Sequence, residues 1–188
     1  MCSARAGDHL YHACFDLGAC VSVHPSTVAM AMLAYDGLVD VAPGGLRPVR
    51  ALMGDGTDPR RDNRLEDGAL VTALVLPPPQ AGEQSAYFRA ISRARSEWPL
   101  VEVLVRLVVE DGAVAEAAIA LGGVAAKPWR ATRAEAALKG LPATRENFLA
   151  AAAEELTAAR PLDGNAFKVG LTQRTIAAVL TSLAGERA

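Results

Sequence analysis

The chain has 188 residues, of which 51% are hydrophobic, 21% are charged and only 5% are aromatic. This length suits one domain, or one domain with a small extra lobe, and allows a real core without disulfides or metals. The formal net charge is −2 with both signs interspersed, which argues against nucleic-acid and membrane-surface binding. No apolar run approaches the roughly 20 residues that span a bilayer. The first residues do not read as a signal peptide, so we expect a cytoplasmic protein.

Short apolar runs alternate with turn residues in the first third of the chain. The Pro43-Gly44-Gly45 triplet is a turn between two of these runs. Gly37 is a natural stop for the helix that precedes it. The predicted elements, in chain order, are a short strand over 19–23, a helix over 28–35, and strands over 38–41 and 47–52. This order predicts a small βαβ unit.

The polar segment over 54–68 is the predicted connection between two regions, residues 1–61 and residues 62–188. Beyond it the pattern changes from strands to helices. The predicted strands are 69–76, 85–95, 100–109 and 114–121, and the predicted helices are 132–139, 144–159 and 167–183. Asp111-Gly112 predicts a tight hairpin turn, and Thr144 predicts a helix N-cap. Strands followed by helices predict an α+β fold, with an antiparallel sheet of three to four strands packed by C-terminal helices.

The predicted hairpin around Trp98 separates its side chains by alternation along each strand. An apolar face, expected to pack on the helices, carries Phe88, Ala90, Val101, Val103, Val105, Leu107 and Val109. The opposite face carries Tyr87, Arg89, Ile91, Arg93, Glu102, Leu104 and Arg106. A turn centred near Glu97 and Trp98 would place Arg93 opposite Glu102. This second face is either a solvated surface with an ordinary ion pair or the wall of a ligand pocket.

Other groups of chemically capable side chains lie near the start of the chain. His9, His12 and His24 occur with Asp8, Asp16 and Cys14, but their spacing matches no standard zinc pattern. Cys14 and His12 could act as nucleophile and base, although a buried thiol beside a surface imidazole is the simpler interpretation. Cys2, Cys14 and Cys20 are interpreted as reduced thiols.

Several segments together resemble the medium, FAD-binding subunits of molybdenum hydroxylases, the family of carbon monoxide dehydrogenase and xanthine dehydrogenase. The specific run is Leu121-Gly122-Gly123-Val124-Ala125-Ala126-Lys127-Pro128-Trp129-Arg130-Ala131. His24-Pro25-Ser26, the strand from Gly68 to Pro77, and Asn165-Ala166-Phe167-Lys168 match in order and spacing. The resemblance covers nearly the whole chain. It implies that residues 62–184 form the C-terminal domain of such a subunit.

The same resemblance implies a truncated subunit in which the flavin contacts have changed. The glycine-rich loops that would cradle the pyrophosphate are not found in the sequence. Thr27 stands where the family usually has an Asp that hydrogen-bonds the flavin ring, and Arg89 stands where it has a Lys. Arg93 matches the family, while Gly7-Asp8-His9-Leu10 departs from it. Cys2 and Cys20 fall near positions that hold an iron–sulfur cluster in some relatives, but two thiolates do not suffice for one.

Two functions of different class follow, together with a plainer third. The favoured hypothesis is a repurposed fragment that has lost FAD and acts as a cofactor-independent cyclase or isomerase on a small molecule in a biosynthetic pathway. Its expected catalytic residues are Arg89, Arg93, Glu97 and Glu102, and its expected substrate-binding residues are His24, Thr27, Tyr87 and Trp98. The alternative is a split FAD-binding subunit that relays electrons with molybdenum-hydroxylase partner subunits. The third is a binding or assembly module. An exposed strand edge makes a homodimer plausible.

Overall fold

A computed structural model of the protein describes residues 2–18, 20–24, 26–58, 60–93 and 96–185. A short 3-10 helix, Ser3–Ala6, precedes the main elements. The first region contains α1 (Thr27–Ala34), β1 (Leu38–Ala42), β2 (Gly45–Pro48), α2 (Val49–Leu52) and β3 (Leu70–Val75). The second contains β4 (Gln84–Ala90), β5 (Val101–Glu110), β6 (Ala113–Gly122), β7 (Trp129–Arg130), α3 (Thr132–Leu138), α4 (Arg145–Leu156) and α5 (Phe167–Leu183).

The main sheet is antiparallel, with the strand order β4-β5-β6-β7. The tight turn between β5 and β6 is confirmed, with Asp111 at φ +49° and Gly112 at φ +78°. Helix α4 begins as predicted, because the Thr144 hydroxyl accepts a hydrogen bond from the amide of Asn147. The α+β fold with helices packed on an antiparallel sheet is therefore confirmed.

Both faces of this sheet are covered, but by different elements. Alternate β5 side chains (Val101, Val103, Val105 and Leu107) join a core with side chains from α4 and α5, among them Phe148 and Leu180. The residues between them face α1, where Leu104 and Ala120 pack against Met30 and Ala34. The predicted two-face pattern thus holds along β5, and helix α1 covers part of the face that also carries Glu102. Phe88, predicted on the face packed by the helices, is instead 52% exposed.

The first region has helix α1 followed by a second antiparallel sheet, with the order β2-β1-β3. The predicted strand over 19–23 is not formed at residues 20–23, while residue 19 lies outside the described residues. This segment is fixed instead by burial of Val21 and by a single backbone hydrogen bond from Ala13. Only the first two residues of the predicted 47–52 strand belong to β2, because the chain turns into α2 over Val49–Leu52 and buries Val49 and Leu52.

The predicted boundary between residues 61 and 62 stays a prediction. Strand β3 lies after that point, yet it pairs with β1 over Leu38–Ala42. Its pairing argues for a boundary after β3, in the Pro77-Pro78-Pro79 run or shortly beyond it.

The N-terminal segment crosses the end of the main sheet and is tied to it by backbone contacts. Cys14 and Phe15 both donate to the carbonyl of Val124, at 2.9 and 3.0 Å. The Phe15 ring stacks on Trp129, with 4.2 Å between ring centroids. The Trp129 indole in turn donates to Glu155 at 2.8 Å. Trp129 is therefore a packing residue, and this packing brings residues 11 and 12 to the mouth of a cleft.

Candidate active site

A cleft of about 600 Å³ opens between the N-terminal segment, the start of α1 and the connection from β4 to β5. This volume is in the usual range for small-molecule sites, roughly 300–1,000 Å³. Its lining combines aromatic rings, hydroxyl groups and a few charged groups. The lining residues are Tyr11, His12, Ser22, Val23, Thr27, Arg89, Ser96, Glu97, Trp98, Pro99, Glu102 and Gly123.

Glu102 is the polar centre of the cleft, and only 2% of it is exposed. Its Oε1 accepts a hydrogen bond from the Thr27 hydroxyl at 2.8 Å and another from the Tyr87 hydroxyl at 2.5 Å. The Arg89 Nε lies 3.8 Å from the same oxygen. Three side chains from one strand, β4, and one helix, α1, therefore converge on one buried carboxyl group, as such a group requires.

Strand pairing explains why Arg89 and Glu102 meet, since they are directly opposite on β4 and β5. The Arg89 guanidinium also donates from Nη2 to the Glu97 carbonyl at 2.6 Å. That contact ties the exposed β4–β5 connection to the sheet. The arrangement fixes the guanidinium at the wall of the cleft.

The electrostatic setting of Tyr87 keeps its hydroxyl protonated. Burial, together with the hydrogen bond to Glu102, raises the pKa of Tyr87 to about 12. At neutral pH this hydroxyl is therefore a donor to Glu102. Tyr87 supports the cleft from behind and does not line it.

A missing side chain makes room for the Glu102 carboxyl group. A Cβ placed on Gly122, the residue paired with Glu102, would lie 2.5 Å from Glu102 Oε2 and 3.1 Å from the Met30 sulfur. Because Glu102 is already held by two hydroxyl groups, it has little freedom to move away. Gly122 is thus part of the architecture that buries a carboxyl group here.

Lys168 anchors the segment that carries His12. Its buried ammonium group donates to the carbonyls of His12 at 2.9 Å and Gly123 at 2.5 Å. Asn165, in the same motif, donates from Nδ2 to the carbonyls of His12 and Ala13 at 3.1 and 3.0 Å. The Asn165-to-Lys168 motif is therefore a clamp that joins the N-terminal segment to α5.

The predicted site residues divide into three groups by their position. Thr27, Arg89, Glu97, Trp98 and Glu102 line the cleft together. Tyr87 adjoins it through Glu102.

The last two predicted residues, His24 and Arg93, are not among the cleft-lining residues. His24 Nδ1 lies 3.9 Å from an oxygen of Asp62. The side chain of Arg93 is 89% exposed, with its Nε 3.8 Å from Glu97.

The predicted pairing of Arg93 with Glu102 is wrong. Strand β4 ends at Ala90, whose carbonyl accepts from the Leu100 amide at 2.8 Å and closes the hairpin. The residues that follow, up to Pro99, form a long connection instead of a tight turn, and residues 94 and 95 lie outside the described residues. The register therefore shifts by four positions, which places Arg89 at Glu102.

Sequence reasoning missed the contributions of the N-terminal segment and the β4–β5 connection. Tyr11, Ser22, Val23, Ser96 and Pro99 carry no periodic signal, because they lie in irregular segments. His12 lines the cleft, and its Nδ1 is buried without a hydrogen-bond partner among the described residues. From the sequence, His12 is predicted only as a metal-site candidate and as a base for Cys14, and not as a cleft residue.

The pairing of Cys14 with His12 does not form a nucleophile and base. Cys14 is completely buried, and burial raises the pKa of its thiol, which disfavours the reactive thiolate. Within the described part of the chain, no group of three or more His, Cys, Asp or Glu residues could hold a metal ion. Asp16 is instead paired with Arg5 at 2.8 Å. The described helices include none long and apolar enough to cross a membrane.

Comparison with known proteins shows the family to which the chain belongs. Residues 86–184 match the CO dehydrogenase flavoprotein C-terminal domain. The chain belongs to this family. The match begins within β4 and runs through α5, so it contains both faces of the main sheet.

Individual members of the flavoprotein family extend the match over nearly the whole chain. The aldehyde oxidoreductase FAD-binding subunit PaoB of Escherichia coli K12 is 34% identical over 186 residues, which cover 95% of this chain and 55% of that protein. The carbon monoxide dehydrogenase of Hydrogenophaga pseudoflava superposes with a TM-score of 0.73 at 25% identity, covering 85% of this chain and 56% of that one. This chain thus spans about half the length of the relatives it matches.

A third relative shares the fold at lower identity. The quinoline 2-oxidoreductase of Pseudomonas putida 86 superposes with a TM-score of 0.71 at 18% identity, over 96% of this chain and 60% of that one. A likeness at this level shows the fold alone.

Two expectations are corrected by these relatives. A cofactor-independent cyclase or isomerase is contradicted, because the matched curated protein is an FAD-binding subunit of an oxidoreductase. The expectation of no cofactor is contradicted for the same reason.

The chemistry of the residues that line the cleft fits the ring end of a flavin, independently of the family match. Trp98 and Tyr11 offer aromatic faces to a flat ring, and Arg89 brings a positive charge to its polar edge. Thr27 and His12 Nδ1, which is buried without a hydrogen-bond partner among the described residues, add polar atoms to the cleft. A large apolar surface with a few convergent polar groups is typical of a cofactor site.

Proposed function

We propose that this chain is part of the FAD-binding subunit of a molybdenum-hydroxylase-type oxidoreductase and holds the ring end of the flavin in the cleft. The observation that carries the proposal is the cleft itself, in which Thr27, Arg89 and Trp98 surround the buried carboxyl group of Glu102. The identity with an FAD-binding subunit gives this cleft its expected ligand.

A bound flavin would supply hydride and electron transfer, which side chains cannot provide. The residues of this chain would bind and orient the ring. Trp98, which is 63% exposed, would cover one face of it. Arg89 would favour electron-rich oxygens at the polar edge, since its guanidinium is always charged. Lys168 would hold the His12 segment against the opposite wall.

We further infer that the chain acts within an assembly of subunits that passes electrons between cofactors. The matched aldehyde oxidoreductase protein is itself a subunit. The second sheet ends in β3, an edge strand whose exposed apolar side chains include Leu70 and Leu74. Such an edge accepts pairing with another chain. The homodimer stays a prediction.

The test is a titration of the purified 188-residue chain with FAD, riboflavin and ADP, followed by flavin absorption and fluorescence. Both flavins should bind with similar affinity, since the cleft residues address the ring that they share. ADP should not compete with the flavins, because we assign the cleft to the flavin ring, which ADP lacks. Absence of any spectral change with either flavin would contradict the proposal.

Replacing one aromatic wall gives a matched comparison. Trp98→Ala should weaken riboflavin binding about tenfold, because stacking against an aromatic side chain is worth roughly 1–3 kcal/mol for a flat ring. Phe88→Ala is the control, since Phe88 is 52% exposed on β4 and is not a cleft residue. Equal losses in the two variants would place the flavin elsewhere.

A further inference from the structure

A second cavity, of about 400 Å³, lies at the end of α1 that is opposite to the cleft. Its walls come from the end of α1, from helix α2, and from the segment that runs from Lys127 into α3. Thr27 stands at the start of α1 in the cleft, whereas Leu33 and Asp36 line this cavity, and the two spaces share no lining residue. The volume is again within the usual range for small-molecule sites.

The charged side chains that line this cavity do not cancel one another. Three of them are cationic (Arg50, Lys127 and Arg130), and two are anionic (Asp36 and Glu135). The lining therefore carries one positive charge in excess, which a singly charged anion would neutralise.

Arg130 is bonded to both of the anionic side chains. Its Nε donates to Glu135, and its Nη1 donates to the Leu33 carbonyl at 2.6 Å and to Asp36 at 3.2 Å. Arg50 stands at the rim, with a side chain that is 70% exposed and an Nη1 that lies 4.0 Å from Asp36. Arg130 and the two carboxylates thus form a closed network, and the excess charge belongs to the other two cations.

Lys127 is the cation that the fold leaves without an acceptor. Within the described part of the chain its ammonium group has no hydrogen bond or ion pair, and it lies over the Trp129 ring, 5.9 Å from the centroid. The pKa of Asp55 is lowered by hydrogen bonds from Thr57 and, to a smaller extent, by the charges of Arg64 and Lys127. Thr57 and Arg64 hold that carboxylate, so Lys127 can still donate to an anionic oxygen.

Much of the remaining lining is apolar. It includes Leu33, Met53, Pro128 and Trp129. Trp129 is fixed in place, because its ring stacks on Phe15 with 4.2 Å between centroids. A matching ligand therefore has an apolar body and one negative charge, since a second negative charge would be repelled by the two carboxylates of the cavity.

We propose that this cavity is a second binding site, which takes a small organic carboxylate with an aromatic or otherwise apolar body. The carboxylate would accept hydrogen bonds from Lys127, with Arg50 adding charge at the rim, and the body would lie against Trp129 and Met53. This site goes beyond the proposed function, because it requires neither a flavin nor a residue of the cleft.

The test compares three ligands that share one aromatic body and differ in charge. At pH 7.5, 2-naphthoate carries one negative charge, 2-naphthamide carries none, and 2-naphthyl phosphate carries close to two. Each is titrated against the full chain by isothermal calorimetry. The carboxylate should bind with a stoichiometry of one, at least tenfold more tightly than the amide and no less tightly than the phosphate.

Variants of the two cations assign the site. Lys127→Met should weaken naphthoate binding at least tenfold and leave naphthamide binding unchanged, whereas Lys127→Arg should keep most of the affinity. Arg50→Met should cost about threefold, because its side chain is mostly exposed. Lys139→Met, at an exposed position outside the cavity, is the matched control and should bind as the wild type does. An unchanged midpoint of urea unfolding checks that each variant is folded.

The outcomes separate this inference from the proposed function. Equal naphthoate affinity in the wild type and Lys127→Met, or displacement of naphthoate by riboflavin, would overturn the inference and leave flavin binding intact. Tighter binding of the phosphate would overturn the assignment to carboxylates, and absence of naphthoate binding would overturn the site. Naphthoate binding that depends on Lys127, in a chain that binds no flavin, would support the inference and contradict only the proposed function.

Discussion

The two faces of the main sheet bury polar groups for different purposes. On the face covered by α4 and α5, the partners of Glu155 are mostly backbone atoms: it accepts from the amides of Arg133 and Ala134 at 2.8 and 3.1 Å, and from the Trp129 indole at 2.8 Å. On the face covered by α1, the partners of Glu102 are the side-chain hydroxyls of Thr27 and Tyr87. Polar groups satisfied by backbone fix the fold, whereas those satisfied by side chains beside a cavity can serve a ligand.

This contrast predicts two different outcomes. Substitutions on the face covered by α4 and α5 lower stability and leave ligand binding unaltered. Substitutions on the cleft face weaken ligand binding and leave stability unaltered. Both faces belong to one strand, β5, whose consecutive residues point to opposite sides. One substitution on each side therefore tests the distinction within a few ångströms.

The largest expected effect is the truncation of the helix-face core. Phe148→Ala removes a completely buried ring from α4 and should lower the free energy of unfolding by about 3–5 kcal/mol. Denaturant unfolding followed by circular dichroism measures it. Phe167→Ala is the control, since 43% of Phe167 is exposed and the loss should be clearly smaller. Equal losses would mean that the helix face is not the main source of stability.

The next prediction concerns Lys168, a buried charged residue on the helix face. Burial lowers the pKa of Lys168 to about 8. Between about pH 8 and 10.5 the unfolded chain then holds more protons than the folded one, so stability rises with pH. Below pH 8 both states are protonated and the full cost of burying the charge is present, on the order of 3 kcal/mol.

Lys168→Met should remove this rise, and unfolding at pH 7 to 10 measures it. The difference between the wild type and the variant is the quantity to use, because burial raises the pKa of Cys14 and thereby lowers stability in the same range. Lys139→Met, at an exposed position, controls for the loss of a lysine. An unchanged pH dependence in Lys168→Met would show that Lys168 is not held as a desolvated cation.

A smaller effect comes from two adjacent glycines at the end of β6. Gly123 has φ +70°, and a Cβ there would lie 3.2 Å from the carbonyls of Pro99 and Leu100, so Gly123→Ala should cost about 1–2 kcal/mol in strain. Gly122→Ala meets the Glu102 carboxyl group instead and should weaken flavin binding more than it lowers stability. The same loss of stability with unchanged binding in both variants would contradict the division between fold and cleft.

The sequence was sufficient for the fold where periodicity was strong. Alternation along β4 and β5 predicted both faces, and the predicted helix over 167–183 matches α5. Periodicity could not fix the hairpin register, because the Ala90–Leu100 contact that ends β4 closes a long irregular connection. The cleft required the irregular segments with Tyr11 and Ser96, whose positions depend on tertiary contacts that leave no local pattern.

The smallest expected effect separates two arginines on the face first predicted as a pocket wall. Arg93 is 89% exposed and belongs to a surface pair with Glu97, so Arg93→Ala should change stability by less than about 0.5 kcal/mol and flavin affinity hardly at all. Arg89 lies against Glu102 in the cleft, so Arg89→Ala should lower flavin affinity at least tenfold. Fluorescence titration of both variants decides between them. If Arg93→Ala were the more damaging, the closed ligand-bound cleft would have to recruit the β4–β5 connection, and the contrast between the two faces would be incomplete without it.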